Sequence, residues 1–220
     1  MVRIPDNSDI DTNKKDTLTA FHLITSNCLA VISNITIKRF SHGIYINNMN
    51  FPVMRTVNFR LIIELSRFSD NNSPDSGAAL FVKLQFCRVT RAFIQINTTY
   101  FINNTASFHG GAIYLNVDNC RILLEFSIKN SLLKNSNAII SGGSLFCGQN
   151  VVCMIVSCAF INENRKENYV KACKGVLIFS KSIVKIVNTE LEYSSNLHTA
   201  QINIIDIIKT RLRNSIQQLD

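Results

Sequence analysis

The sequence predicts an all-β fold: a parallel β-helix solenoid of about five coils with a period of about 33 residues. Three observations carry that expectation. Glycines that open short apolar strands recur at Gly43 (GIYI), Gly77 (GAALF), Gly111 (GAIYL), Gly143 (GSLF) and Gly175 (GVLIF), at intervals of 34, 34, 32 and 32 residues. Between them, short runs of Ile, Val, Phe, Leu and Tyr alternate with polar residues, as in AFIQIN at 92–97 and LEFSIKN at 124–130. That period of two is the mark of a half-buried strand. A third row, Cys87, Cys120 and Cys153, keeps steps of 33 and 33.

A period near 33 also suits helical repeats such as ankyrin and tetratricopeptide units. Residue type decides against them, because no stretch of ten or more residues within the units sustains a 3.6-residue periodicity with caps. Each unit instead holds about three strand-like pieces, so one unit makes one turn. Stacked turns pair each strand in parallel with its equivalent about 4.8 Å away. Gly110 and Gly111 fall where loop becomes strand, a place for positive φ or for close approach of the next coil. An aromatic or leucine row at Phe68, Phe101, Leu133, Phe160 and Tyr193 is expected to stack inside. The asparagines three residues on, Asn71, Asn104 and Asn196, are expected to turn the corner in the left-handed conformation and to form a ladder between coils.

Residues 1–25 read as a polar lead-in, 26–205 as the repeat domain and 206–220 as a cap or short helix closing the column's end. The insertion ENRKENYVKAC at 163–173 is expected to bulge as a loop, a candidate contact site. With 46% hydrophobic and 17% charged residues, the chain is not of a disordered class. Its net charge of +8 is spread along the chain, which argues for a mildly basic surface and no nucleic-acid partner. The N-terminus has no apolar h-region, and no segment approaches the roughly 18 apolar residues of a membrane-spanning helix. The expectation is therefore a fragment, or a piece whose export signal lies elsewhere.

No chemistry-bearing constellation stands out. The seven cysteines form no CxxC, and neither HxH nor HExxH occurs, so no metal or other cofactor is expected. Cys87, Cys120 and Cys153 read most simply as a column of small apolar residues, with disulfides as the alternative, since coil spacing lies within disulfide range. His42 and His109 each sit near a repeat glycine and are expected at a shared, solvated corner. Asp118 aligns with Gln85 and Val151, and Glu64 aligns with Asn97, Asn130, Glu163 and Asn196, a mostly amide row without a catalytic cluster. Asn34, Asn97 and Asn103 open glycosylation sequons.

FINNTASFHGGAIY, at 101–114, resembles the repeat of the polymorphic outer-membrane protein family, whose paired signatures are GGA followed by Ile, Leu or Val, and FxxN. GGAI stands at 110–113, with weaker forms at 77–80 and 142–145; FxxN stands at Phe68 and Phe101, with a near match at Tyr193. The resemblance covers about residues 40–200 and implies a right-handed parallel β-helix on a cell surface or outside the cell. It implies a non-enzymatic role in adhesion or antigen display, with a host-cell receptor or surface glycan as partner. The alternative is a carbohydrate-active, pectate-lyase-like β-helix or a fragment of one.

Overall fold

The computed structural model describes residues 2–3, 9–11, 19–23, 27–47, 56–85, 88–120, 123–161, 177–180, 183–192, 197–200, 204–208 and 211–213. Within them every regular element is a strand and every strand pairing is parallel. One coil shows the plan. Arg88–Asn97 belongs to sheet I, Tyr100–Ile102 to sheet II, Thr105–Ala106 to the short sheet III, and Ile113–Asp118 to sheet IV. Sheets I and II are eight strands high, sheet IV seven and sheet III three. Cys28, Phe59, Ala92, Leu124 and Val151 are level and mark four successive turns along sheet I. The chain is a parallel β-solenoid.

Alternation builds the core. In Leu124–Lys129, Leu124, Phe126 and Ile128 are buried while Glu125 is exposed. Parallel registry then stacks like on like. Ile32, Ile63, Ile96, Ile128, Ile155 and Ile186 lie one above another on sheet I, all buried. Branched side chains repeated at strand spacing fill a dry interior without voids, and each buried isoleucine contributes about 1.5–3 kcal/mol. Opposite them, Ile44, Leu80, Ile113 and Leu145 form the matching row of sheet IV.

Corners are made by residues in the left-handed conformation. Among the described residues twelve non-glycine residues have positive φ, and seven of them are asparagine: Asn34, Asn103, Asn119, Asn130, Asn135, Asn150 and Asn188. Asparagine takes this conformation at the least cost of the non-glycine residues, which is why it recurs at these corners.

Two boundaries differ from the sequence reading. Val2–Arg3, Asp9–Asp11 and Thr19–Leu23 pair in sheets I, II and IV, so part of the expected lead-in is itself wound into the column. At the other end Arg211–Arg213 is a strand paired with Glu190–Glu192 rather than the start of a helix. Both ends alternate apolar and polar residues too briefly for a periodicity to be read, but an existing sheet edge supplies the missing partners. The insertion at 163–173 lies outside the described residues.

Candidate functional site

The aromatic row falls where the sequence placed it, with one exception. Phe68, Phe101, Leu133 and Phe160 stand in register on sheet II, all fully buried, and the Phe68 and Phe101 rings stack at 5.2 Å. Leu191, not Tyr193, is level with Phe160. Tyr193 and Asn196 lie outside the described residues.

The two jobs expected of one asparagine are divided between neighbours. Asn71 and Asn104 point inward and are fully buried. Asn71 Nδ2 donates to Asn104 Oδ1 at 2.9 Å, Asn104 Nδ2 donates to Phe68 O at 3.0 Å, and the backbone N–H of Phe40 donates to Asn71 Oδ1 at 3.0 Å. The corner itself is turned by the residue before each, Asp70 and Asn103. A buried amide with its polar atoms used in this way ties coil to coil.

The glycine column is also redistributed. Gly77, Gly110 and Gly142 hold the positive-φ position, at +58°, +58° and +65°. Gly111 and Gly143 come one residue later without positive φ; a Cβ on Gly111 would run into the carbonyl oxygens of Gly143 and Asn137. Gly43 is level with Ala79 instead. Gly111 and Gly143 are level, as expected, but Gly77 is offset from Gly111 by one residue and Gly43 from Gly77 by two; Gly175 lies outside the described residues.

The expected cysteine column fails at Cys153. Cys153 stands in sheet I between Phe126 and Val184, whereas Cys120 follows sheet IV at a corner. The sheet I row advances 33 residues from Leu61 to Ile94 and 32 to Phe126, but only 27 to Cys153. A shortened corner breaks the registry that equal sequence spacing suggested. Cys120 is disulfide-bonded, which fits the disulfide alternative at that position. Cys147, Cys153 and Cys158 are free and buried. Cys87 lies outside the described residues.

One inward column was not read from the sequence. Ser66, Thr99, Ser131, Cys158 and Thr189 follow the positive-φ residues that close sheet I, and all are buried. Ser66, Thr99, Ser131 and Thr189 each donate a hydroxyl to the carbonyl two residues back, at 2.7–3.0 Å. Ser66 and Ser131 also accept a backbone N–H from the preceding coil, Ile35 and Thr99. Ser, Thr and Cys share this job, so no single-letter repeat marks it.

The outer face of sheet IV carries the other concentration of unusual groups. Tyr45, Phe81, Tyr114 and Phe146 form a continuous stack with centroids 4.7, 5.2 and 5.3 Å apart. His22 and His42 meet Tyr45 edge-on, and His109 leans on Phe146 at 4.9 Å. Burial lowers the pKa of His42 and His109 while Asp75 opposes the shift; burial, with Asp118 adding, pushes the Tyr114 phenol up to about 12. His42, His109 and Tyr114 are thus neutral at pH 7. Phe81 is 2% and Tyr114 8% exposed, so the middle of the ladder works as a second, outer core and not as an open platform.

His42 is correspondingly buried rather than solvated, and it does not share a corner position with His109. Its Nε2 lies 2.9 Å from Ser73 Oγ. This is a structural clasp and not a nucleophile with its base: Ser73 is fully buried, donates to Ser76 O and accepts the Asp75 N–H. Asp118 pairs with Gln85, as expected, and accepts from Gln85 at 3.2 Å and from Asn116 at 2.8 Å; Glu64 is level with Asn97 and then Lys129. No group of three or more His, Cys, Asp or Glu that could hold a metal occurs among the described residues.

One corner brings apolar side chains to solvent. Phe108, Ile139 and Ile140, each 45–49% exposed, sit together at the corner leading to sheet IV, where the backbone N–H of Ile140 donates to Phe108 O at 3.0 Å. Large apolar side chains clustered at an exposed corner mark a contact surface more readily than a catalytic one.

A model of the Chlamydia polymorphic membrane protein repeat matches residues 98–116. The match contains Phe101, Asn104, Phe108, Gly110, Gly111 and Tyr114, one corner of the coil from buried aromatic to outer ladder. No curated protein and no solved structure matches the chain. Among the described residues no helix is long and apolar enough to cross a membrane.

Proposed function

We propose that this protein is a non-enzymatic, surface-associated or secreted repeat protein that works by contact, as an adhesin or displayed antigen. The observation that carries the reading is the polymorphic membrane protein repeat at 98–116 set within a parallel β-solenoid. A rigid column fixes the spacing of whatever its corners present, and the corner inside the matched repeat presents Phe108 beside Ile139 and Ile140. The partner is a host-cell receptor or surface glycan, taken up on that apolar corner. A carbohydrate-cleaving reading would require carboxylates free to act as acid and base; Asp118 is instead held by two amides.

Two measurements test the reading. Protease shaving of intact producing cells should release peptides of this chain; recovery only after lysis would overturn surface association. Binding of the purified chain to host cells should fall at least several-fold in a Phe108→Ser, Ile140→Ser double variant that keeps its thermal stability. Unchanged binding would remove the corner from the contact surface.

A further inference from the structure

Cys147 ends the strand Leu145–Cys147 of sheet IV, and Cys153 lies in the strand Val151–Val156 of sheet I. Only Gly148, Gln149 and Asn150 connect the two strands. Their Sγ atoms lie 3.2 Å apart in the core, with both residues essentially unexposed. We propose that Cys147 and Cys153 are a disulfide site, a cross-link between two sheets of one coil that forms when the folding chain meets a small-molecule disulfide.

The geometry favours this over the other uses of paired thiols. A disulfide bond is about 2.04 Å long, so closure requires the sulfurs to approach by about 1 Å, within reach of small χ changes. Thiolates around a tetrahedral zinc, each about 2.3 Å from the metal, stand farther apart than these two. Further ligands are lacking too, since no metal-competent group of three occurs among the described residues. The third thiol of the region, Cys158, is directed at Val156 O and Ile128 O, at 3.3 and 3.5 Å. In the neighbouring coil, Leu115 and Phe126 are level with Cys147 and Cys153. The pair therefore belongs to the short corner, which brings the sheets together where small side chains face each other.

The reaction balances with oxidised glutathione as the oxidant. One thiolate attacks the glutathione disulfide and expels a glutathione thiolate; the second then attacks the mixed disulfide and expels another. Two protein thiols lose their protons and two electrons, and one glutathione disulfide becomes two glutathiones. Burial pushes the Cys147 thiol up in the finished fold, so the exchange takes place before the coil closes over the pair. A separation of six residues keeps the thiols close at that stage. The inference is independent of the proposed surface role and survives its failure.

The test uses the full chain, refolded from denaturant in a glutathione redox buffer, alkylated under denaturing conditions and digested with trypsin. Cleavage after Lys134 and Arg165 leaves Cys147, Cys153 and Cys158 in one peptide, and cyanogen bromide cuts that peptide after Met154, between Cys153 and Cys158. The expected result is a peptide two hydrogens lighter, alkylated once, from which cyanogen bromide releases the alkylated Cys158 fragment without reduction. Alkylation of both Cys147 and Cys153, a glutathione adduct on either, or release of the Cys158 fragment only after reduction would each overturn the proposal. A Cys158→Ser chain should keep the cross-link, and a Cys147→Ser chain should expose Cys153 to alkylation.

Discussion

The coil from Arg88 to Asp118 and the one after it, Leu124 to Cys147, use the same sheets and differ at their corners. The first returns to sheet I through residues 119–123; the second does so through residues 148–150. The isoleucine row passes through both without a break, at Ile96, Ile128 and Ile155. Length changes are thus absorbed at corners while inward rows hold their level, as expected where each coil's burial depends only on its neighbours. The coils also differ at a corner of equal length, between sheets II and III. Asn104 in the first coil is bonded on both sides, whereas Ser136, at the equivalent inward position of the second, has a buried Oγ with no partner.

The sharpest contrast is between glycines. Gly111→Val is expected to cost about 4 kcal/mol or more, or to abolish folding, because its Cβ meets backbone carbonyls that cannot move without shifting the next coil. Gly148→Ala, in the short corner, meets only the Asn116 side chain and should cost about 1 kcal/mol, the loss of its bond to the Gln149 N–H. Chemical denaturation of the two variants measures the difference; equal costs would mean that the corners are alike.

Next in size is the ladder. Asn104→Ala removes the Oδ1 acceptor of Asn71 Nδ2 and the amide donor to Phe68 O in the core and should cost about 2–3 kcal/mol. Ser136→Ala removes an oxygen without a partner and should change stability by less than about 0.5 kcal/mol, or raise it. Smaller again is the gain at Leu65, which is 59% exposed and held at φ +50°. Leu65→Asn should stabilise the fold by about 1 kcal/mol, since asparagine tolerates that conformation and no buried contact is lost. A loss on thermal unfolding would show that Leu65 has a packing role.

The smallest effect concerns pH. His42 and His109 have folded pKa values below the 6.5 of the free side chain. The unfolded chain then binds protons that the folded chain refuses, so stability is full above about pH 6.5 and declines below it. Thermal melts between pH 7.5 and 5 should show a fall that His42→Gln reduces. An unchanged slope in that variant would exclude His42 as a contributor.

Strand alternation, the glycine-to-strand step and the buried Phe68–Phe101 row were legible because each rests on a residue type that few positions tolerate. Cys120 and Cys153 misled because equal spacing was taken for equal level, and a corner deletion between them shifted one row against the other. The isoleucine row was hidden by abundance, since isoleucine occurs on so many strands that no spacing stands out. The Ser, Thr and Cys column was hidden by degeneracy, because a hydroxyl or thiol at that place makes the same bond. The apolar corner at Phe108, Ile139 and Ile140 has no periodic signal, for exposure depends on how neighbouring coils turn.

The shortened step between the two coils is tested most directly by engineered cross-linking on sheet I. Glu125 and Val152 are level on adjacent strands and face outward, so their Cα atoms lie at parallel strand spacing, within disulfide range. In a chain with Cys147, Cys153 and Cys158 replaced by serine, Glu125→Cys with Val152→Cys should oxidise to an intrachain disulfide. Asn119→Cys with Val152→Cys, the pair a uniform 33-residue step would bring together, should not. Cross-linking of the second pair and not the first would contradict the short corner and restore the uniform coil.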